Sequence, residues 1–223
     1  LTELEKEGRE RMHPQEPDAQ IMKMPVGKGL AYNAQVVANG KAGIIVAADV
    51  TKDHTDKGQL VPMVEAAQKM TGNSVAETVA DAGYFSGEQL AQAQQRNQSV
   101  LVSLKELEAE AARGGDFSAW KFQYDGERNC CICPQGEKLV YKGLVKHKAK
   151  TYSAHRYHCQ SFAQCPVRWE CSKSARGRQV EINPNHDAIL AQRAKHNLEA
   201  NKQRLKQRAG IVEPVFAWAK HLL

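Results

Sequence analysis

The chain has 223 residues, enough for one full core with an insertion or for two small domains, and its 42% hydrophobic and 25% charged content is that of a globular protein. No apolar run approaches the ~18 residues needed to span a bilayer and no charged-then-apolar leader opens the chain, so the expectation is a cytoplasmic protein without a membrane partner. The net charge of +6 hides an asymmetry: residues 1–137 carry 14 Lys/Arg against 20 Asp/Glu, and residues 138–223 carry 17 against 5. A one-sided positive field of that kind gathers polyanions, with nucleic acid the obvious partner and a solvated basic face the plain alternative.

The first predicted elements are two strands. Leu30–Val37 leads to Asn39-Gly40, a two-residue hairpin signal, and Ala42–Ala48 then runs almost continuously apolar, as in a strand covered on both faces. Asp56 is placed to cap a helix over Gln59–Met70 that ends at Thr71-Gly72. A short strand follows over Glu77–Asp81, and Ser86 with Gln89 reads as a capping box opening a helix over Gly87–Gln95. Ser99–Leu104 is a further strand, and residues 105–120, charged and interrupted by Gly114-Gly115, look like the exit from the sheet. The order β-β-α-β-α-β over residues 30–104 defines a mixed α/β sheet. From Pro184 onward the period is helical, with Leu190, Ala194 and Leu198 in one stripe, a break at Gly210 and a new helix near Glu213-Pro214.

Two carboxylates stand out. Asp81 closes a Thr-Val-Ala strand and is followed by Ala82-Gly83, which leaves it at the C-terminal edge of the sheet, where ligands gather in open α/β folds. The alternative is that it only caps the turn. Glu213 lies among Val212, Val215, Phe216 and Trp218, and an acid on so apolar a helix needs a metal or a basic partner, Arg208 and Lys220 being within reach. Two or three convergent carboxylates suit Mg²⁺, which clamps the oxygens of an in-line phosphoryl transfer without a nucleophilic side chain.

The segments YNAQVV, GIIVAADVTKDHTDKGQLVPM, VADAGYF and VEPVF followed by Lys220 stand in the order in which they occur in DDE transposases of bacterial insertion sequences that carry a cysteine-rich insert. The chain resembles that family from about Glu16 to Lys220. The resemblance implies an RNase H-like mixed sheet with flanking helices, interrupted by a Cys-rich basic insertion. It divides the chain into a linker segment at 1–29, the first part of the core at 30–120, the insert at 121–178 and completing C-terminal helices at 179–223. It also implies DNA transposition by Mg²⁺- or Mn²⁺-dependent cleavage and strand transfer at transposon ends, by a homodimer associated with the nucleoid.

Carried over, Asp81 is the second catalytic acid and Glu213 the third, both holding Mg²⁺, and Lys220 contacts transposon-end DNA together with Arg208 and Arg204. Four residues separate Arg208 from Glu213, where the wider signature usually has three. The family's first catalytic Asp belongs on a strand before Tyr32. Asp18 follows Pro17 and reads as a linker residue, and Asp49 matches a non-catalytic family position. The expectation is therefore an N-terminally truncated transposase. A catalytically inactive DNA-binding remnant and a metal-dependent nuclease are the alternatives.

All six cysteines lie between 130 and 171. Cys133, Cys159, Cys165 and Cys171 are candidate ligands of a structural Zn²⁺, with Cys130, Cys131, His155 and His158 as extra candidates and plain reduced thiols as the alternative. Tyr152, Tyr157 and Trp169 interleave with the insert's Lys and Arg, either to stack on unpaired bases or to form a small core.

Overall fold

The computed structural model describes residues 13, 15–24, 27–147 and 152–222, with the side chains of 106, 110 and 218–222 outside the description. These fall into two units, one made of Leu1–Ser103 with Gln192–Leu223 and the other of Leu104–Ala191. The fold is mixed α/β.

The first unit holds an antiparallel hairpin, β1 (Gln20–Lys23) and β2 (Lys28–Ala31), most of it within the segment expected as linker. Gly27 takes φ +77° at its turn, a left-handed conformation that favours glycine. Asp18 lies just ahead of β1 and pairs with Lys52 at 2.7 Å.

β3 (Asn33–Ala38) and β4 (Ile45–Thr51) pair antiparallel. The two-residue Asn39-Gly40 hairpin is corrected to a longer loop. Asn39 N–H donates to the Ile44 carbonyl, and the Asn39 side-chain oxygen accepts from the backbone of Lys41 and Ala42. An Asx turn satisfies the loop internally, so β4 starts at Ile45. Nor is β4 covered on both faces: Ile45 and Val50 are exposed, because among the described residues it pairs with β3 alone.

α1 (Leu60–Thr71) buries Leu60, Val61, Met63, Val64 and Ala67, a helical stripe, and Met63 and Ala67 pack with Ala47 of β4. Each large side chain so buried contributes about 1.5–3 kcal/mol. Gly72 ends the helix in the left-handed region at φ 66°. β5 (Thr78–Ala80) and β6 (Val100–Val102) pair in parallel through the crossover helix α2 (Gly87–Gln95), which Ser86 caps. Gln89 does not complete a capping box. Its side-chain oxygen accepts the Val61 N–H at 2.9 Å, so the residue caps α1 instead. β3–β4 and β5–β6 remain separate two-stranded sheets among the described residues.

α5 (His186–His196) spans the boundary at 191–192, and α6 (Glu199–Leu222) lies in the first unit. The expected break at Gly210 does not occur. The chain breaks at 197–198, and α6 runs through both Gly210 and Pro214. The stripe Leu190, Ala194 and Leu198 is exposed; Ala188, Ile189, Gln192 and His196 are buried instead.

In the second unit, α3 (Lys105–Arg113) precedes a five-stranded antiparallel meander. Its strands are β7 (Gln123–Asp125), β8 (Cys130–Ile132), β9 (Lys138–Lys146), β10 (Ser153–Cys159) and β11 (Gln179–Ile182), with the one-turn helix α4 (Arg168–Cys171) between β10 and β11. Phe122, Cys131, Leu139, Tyr157, Cys159, Phe162, Val180 and Ile182 form its core. Tyr157 is therefore a core residue, whereas Trp169 is exposed with the Arg168 guanidinium 4.3 Å over its ring. Lys148 and Lys150, of the segment expected as a basic insert, lie outside the described residues.

Candidate active site

β5 is short, and an acid stands at each end of it. Glu77, just before the strand, accepts from the Ser99 hydroxyl and pairs with Lys195 at 2.7 Å and with Arg204 of α6. Burial alone would raise the Glu77 pKa. The Lys195 ammonium, helped by Ser99 and Arg204, outweighs it and holds the group below its ordinary 4.5. Because the folded-state pKa is depressed, this carboxylate stabilises the fold above about pH 4.5 and the contribution fades as pH falls through the folded value. Glu77→Gln is thus expected to unfold more easily than the parent at neutral pH, with the difference closing on acidification; urea titrations at several pH values would show a constant gap if the network were neutral to stability.

Asp81, just after β5, accepts the Gly83 N–H at 2.8 Å, so it does cap the 3₁₀ turn Ala82–Tyr84. Its second oxygen faces the Arg208 guanidinium of α6 at 3.7 Å. Arg204 and Arg208 are one helical turn apart, so α6 follows β5 with one arginine at each acid.

A further carboxylate, not singled out in the sequence, meets Asp81 here. A Cβ at Gly83 would lie 2.8 Å from Asp56 Oδ2 and 3.0 Å from Asp81 Oδ1, so both acids point at the space that glycine leaves open. Asp56 does not cap α1. It sits inside a 3₁₀ turn, Asp56–Gly58, and the N-cap is Gln59. Its Oδ1 accepts from Asn33 Nδ2 at 2.7 Å and from Gln35 Nε2 at 2.8 Å, which leaves Oδ2 free to turn towards Gly83. Gln35 is buried and also accepts the Tyr84 hydroxyl. Burial first, then the Asp56 and Asp81 charges, push the Tyr84 pKa up to about 12, so the hydroxyl stays protonated beside the acids. The signal in the sequence was the pair of amides at alternate positions 33 and 35 of an otherwise apolar strand, which need a polar partner on one face.

Glu213 is placed differently from expectation. It is exposed, not buried among the apolar residues around it. Arg208, its expected partner, goes to Asp81. Five residues beyond Arg208, Glu213 is carried about 140° around a helix of 3.6 residues per turn, away from the face that meets β5. The side chain of Lys220 lies outside the described residues. Arg204 and Arg208, expected on DNA, are both engaged with acids of their own chain.

Among the described residues no three His, Cys, Asp or Glu side chains form a ready-made metal site. Asp56 and Asp81 nonetheless fit Mg²⁺ as donors, since that ion takes one or two carboxylates and completes its shell with water and substrate phosphate.

In the second unit, Cys133, Cys159, Cys165 and Cys171 line one small cavity with Phe122, Phe162 and Arg178. Burial raises the Cys159 and Cys171 pKa values. The Ser161 backbone opposes this at Cys159 and the Arg178 charge opposes it at Cys171, and the neighbouring sulfurs of the group raise both further. Cys130 and Cys131 do not join them: both are buried on β8, and burial with the adjacent Cys130 pushes the Cys131 pKa up to about 12. His158 is bonded to the Arg176 carbonyl, and the His155 ring lies against Tyr141. No helix is long and apolar enough to cross a membrane among the described residues.

A mixed α/β protein thus places an acid at the C-terminal end of a parallel strand, met by a second acid and faced by arginine from a long helix. Residues 132–223 match the family described as a transposase DDE domain, and this supports a DDE-type transposase. The match takes in Glu213 and the four cavity cysteines and leaves Asp56 and Asp81 outside it. No curated protein and no solved structure matches the chain.

Proposed function

We propose that the protein is a DNA transposase that cleaves and joins transposon ends with Mg²⁺ or Mn²⁺, its first unit being an RNase H-like core and its second a Cys-rich basic insertion into that core. The observation that carries this is the convergence of Asp56 and Asp81 on Gly83, at the end of β5, in a chain whose C-terminal part matches a transposase DDE domain. A divalent ion held there would polarise the scissile phosphate and activate the attacking oxygen. Asn33 and Gln35 hold one oxygen of Asp56 and so orient the other. Gly83 keeps the space between the acids open, and Arg208 supplies a positive charge that a DNA phosphate can share with Asp81. Glu213 is the helix-borne acid of this reading. It reaches the end of β5 only if α6 turns, and Gly210 and Pro214 are where a helix bends at least cost.

The placement of Glu213 favours a second reading, a remnant that binds DNA without cutting it. Incubating the chain with end-bearing oligonucleotides, a target plasmid and Mg²⁺ or Mn²⁺ separates the possibilities. Metal-dependent joining supports the transposase, cutting without joining indicates a nuclease, and retention of DNA with neither leaves the remnant.

A further inference from the structure

We propose that Cys133, Cys159, Cys165 and Cys171 bind one Zn²⁺ that organises the loops of the second unit. Cys133 comes from the β8–β9 turn, Cys159 from the end of β10, Cys165 from the loop that leads into α4 and Cys171 from the end of α4. All four line the same cavity, and none is in a disulfide.

The turn at Cys133 is closed by its own backbone. Gly136, at φ +82°, lets Cys133-Pro134-Gln135-Gly136 close with a Gly136 N–H to Cys133 carbonyl bond of 2.9 Å, and Cys133 N–H returns to the Glu137 carbonyl at 2.9 Å. That closure aims the Gln135 N–H at the Cys133 sulfur, 3.3 Å away. The Cys133 sulfur thus sits in a closed backbone turn that already donates to it, a geometry that suits a soft tetrahedral cation.

The charge around the cavity agrees. One Zn²⁺ with four thiolates carries a net charge of −2, and such a centre in apolar surroundings needs compensation. Arg178 lines the cavity, and its buried Nε has no hydrogen-bond partner, although its other nitrogen reaches the Phe117 carbonyl at 2.9 Å. An anionic sulfur is the acceptor that orphaned donor lacks. The structure also separates the six cysteines: Cys130 and Cys131 lie on β8, opposite Val140 and Leu139 in the sheet register, and neither lines the cavity.

This inference stands apart from the carboxylate site and is tested without DNA. The full chain is purified under reducing conditions, and its metal content, acid-labile sulfide and zinc released by a thiol-specific mercurial are measured. The expected result is one zinc per chain, released as four thiols react. Cys159→Ser and Cys171→Ser should weaken zinc by more than the 10–100-fold typical of a lost outer-shell partner, while Cys130→Ser keeps it. Should the serine variants fail to fold, the unaltered chain loaded with Co²⁺ must still show thiolate charge transfer and tetrahedral cobalt bands. Absence of those bands, a chain that purifies with iron and sulfide, a disulfide among the four, or loss of zinc from folded Cys130→Ser would each overturn the proposal.

Discussion

Asp81→Asn should reduce metal-dependent cleavage and joining by more than about 100-fold, beyond the loss expected when only an outer-shell partner of a metal is removed. The substitution is nearly isosteric. An asparagine side-chain oxygen can still accept the Gly83 N–H, so the turn that follows β5 is kept. What disappears is a negative charge aimed at the space beside Gly83 and at Arg208. The Arg208 pair is long at 3.7 Å and Asp81 is 45% exposed, so its loss costs the fold only about 0–1 kcal/mol. Activity and stability are thus expected to separate: melting temperature almost unchanged, affinity for Mn²⁺ by calorimetry much reduced, DNA retention preserved. Gly83→Ala is the companion test, since its Cβ would strike Asp56 Oδ2 at 2.8 Å and force the two acids apart without removing either charge. If Asp81→Asn retains both joining and Mn²⁺ affinity, Asp81 does not belong to the metal site, and the reading built on β5 is wrong.

Which parts of this site could be read in the sequence follows from the range of the interactions. The Ser86 cap, the Gly72 stop and the strand leading to Asp81 are local, set by a few neighbouring residues, and each is found where the chain signals it. Asp56 is the opposite case. An Asp just ahead of an apolar helix reads as its cap, but the amides that hold it lie 21 and 23 residues earlier, and a 3₁₀ turn separates it from α1. Gln89 misleads in the same way, because a capping-box residue is taken over by a helix 28 residues away. On α6 the local breakers Gly210 and Pro214 do not end the helix, and the continuous helix carries Glu213 out to solvent. The cysteines are the legible case: the four set apart in the sequence, Cys133, Cys159, Cys165 and Cys171, line one cavity, while Cys130 and Cys131 sit on β8.

The largest loss of stability is expected from Tyr157→Ala in the second unit. Tyr157 is the largest fully buried side chain of the described residues, at 0% exposure. It lies on β10, which pairs with both β9 and β11, and its ring belongs to the core of the meander. The rings of Tyr124 and Tyr141 sit tilted against it at 5.7 and 5.6 Å, the offset geometry that aromatic pairs prefer. Its hydroxyl donates to the Asn129 side-chain oxygen at 2.7 Å, and Asn129 itself occupies the left-handed region at φ 46° in the β7–β8 turn. The substitution therefore removes core volume, two ring contacts and the anchor of a strained turn together. Aromatic-to-alanine changes in cores cost about 3–5 kcal/mol. Tyr157→Phe separates the contributions, since it keeps the ring and gives up only the hydrogen bond, at a cost of about 1–3 kcal/mol for the acceptor left without its donor. Denaturant unfolding followed by tyrosine fluorescence and by circular dichroism should place the two variants in that order. A Tyr157→Ala variant as stable as the parent would mean that this face of the sheet is not the core of the second unit, and that its aromatic residues are available to stack on bases instead.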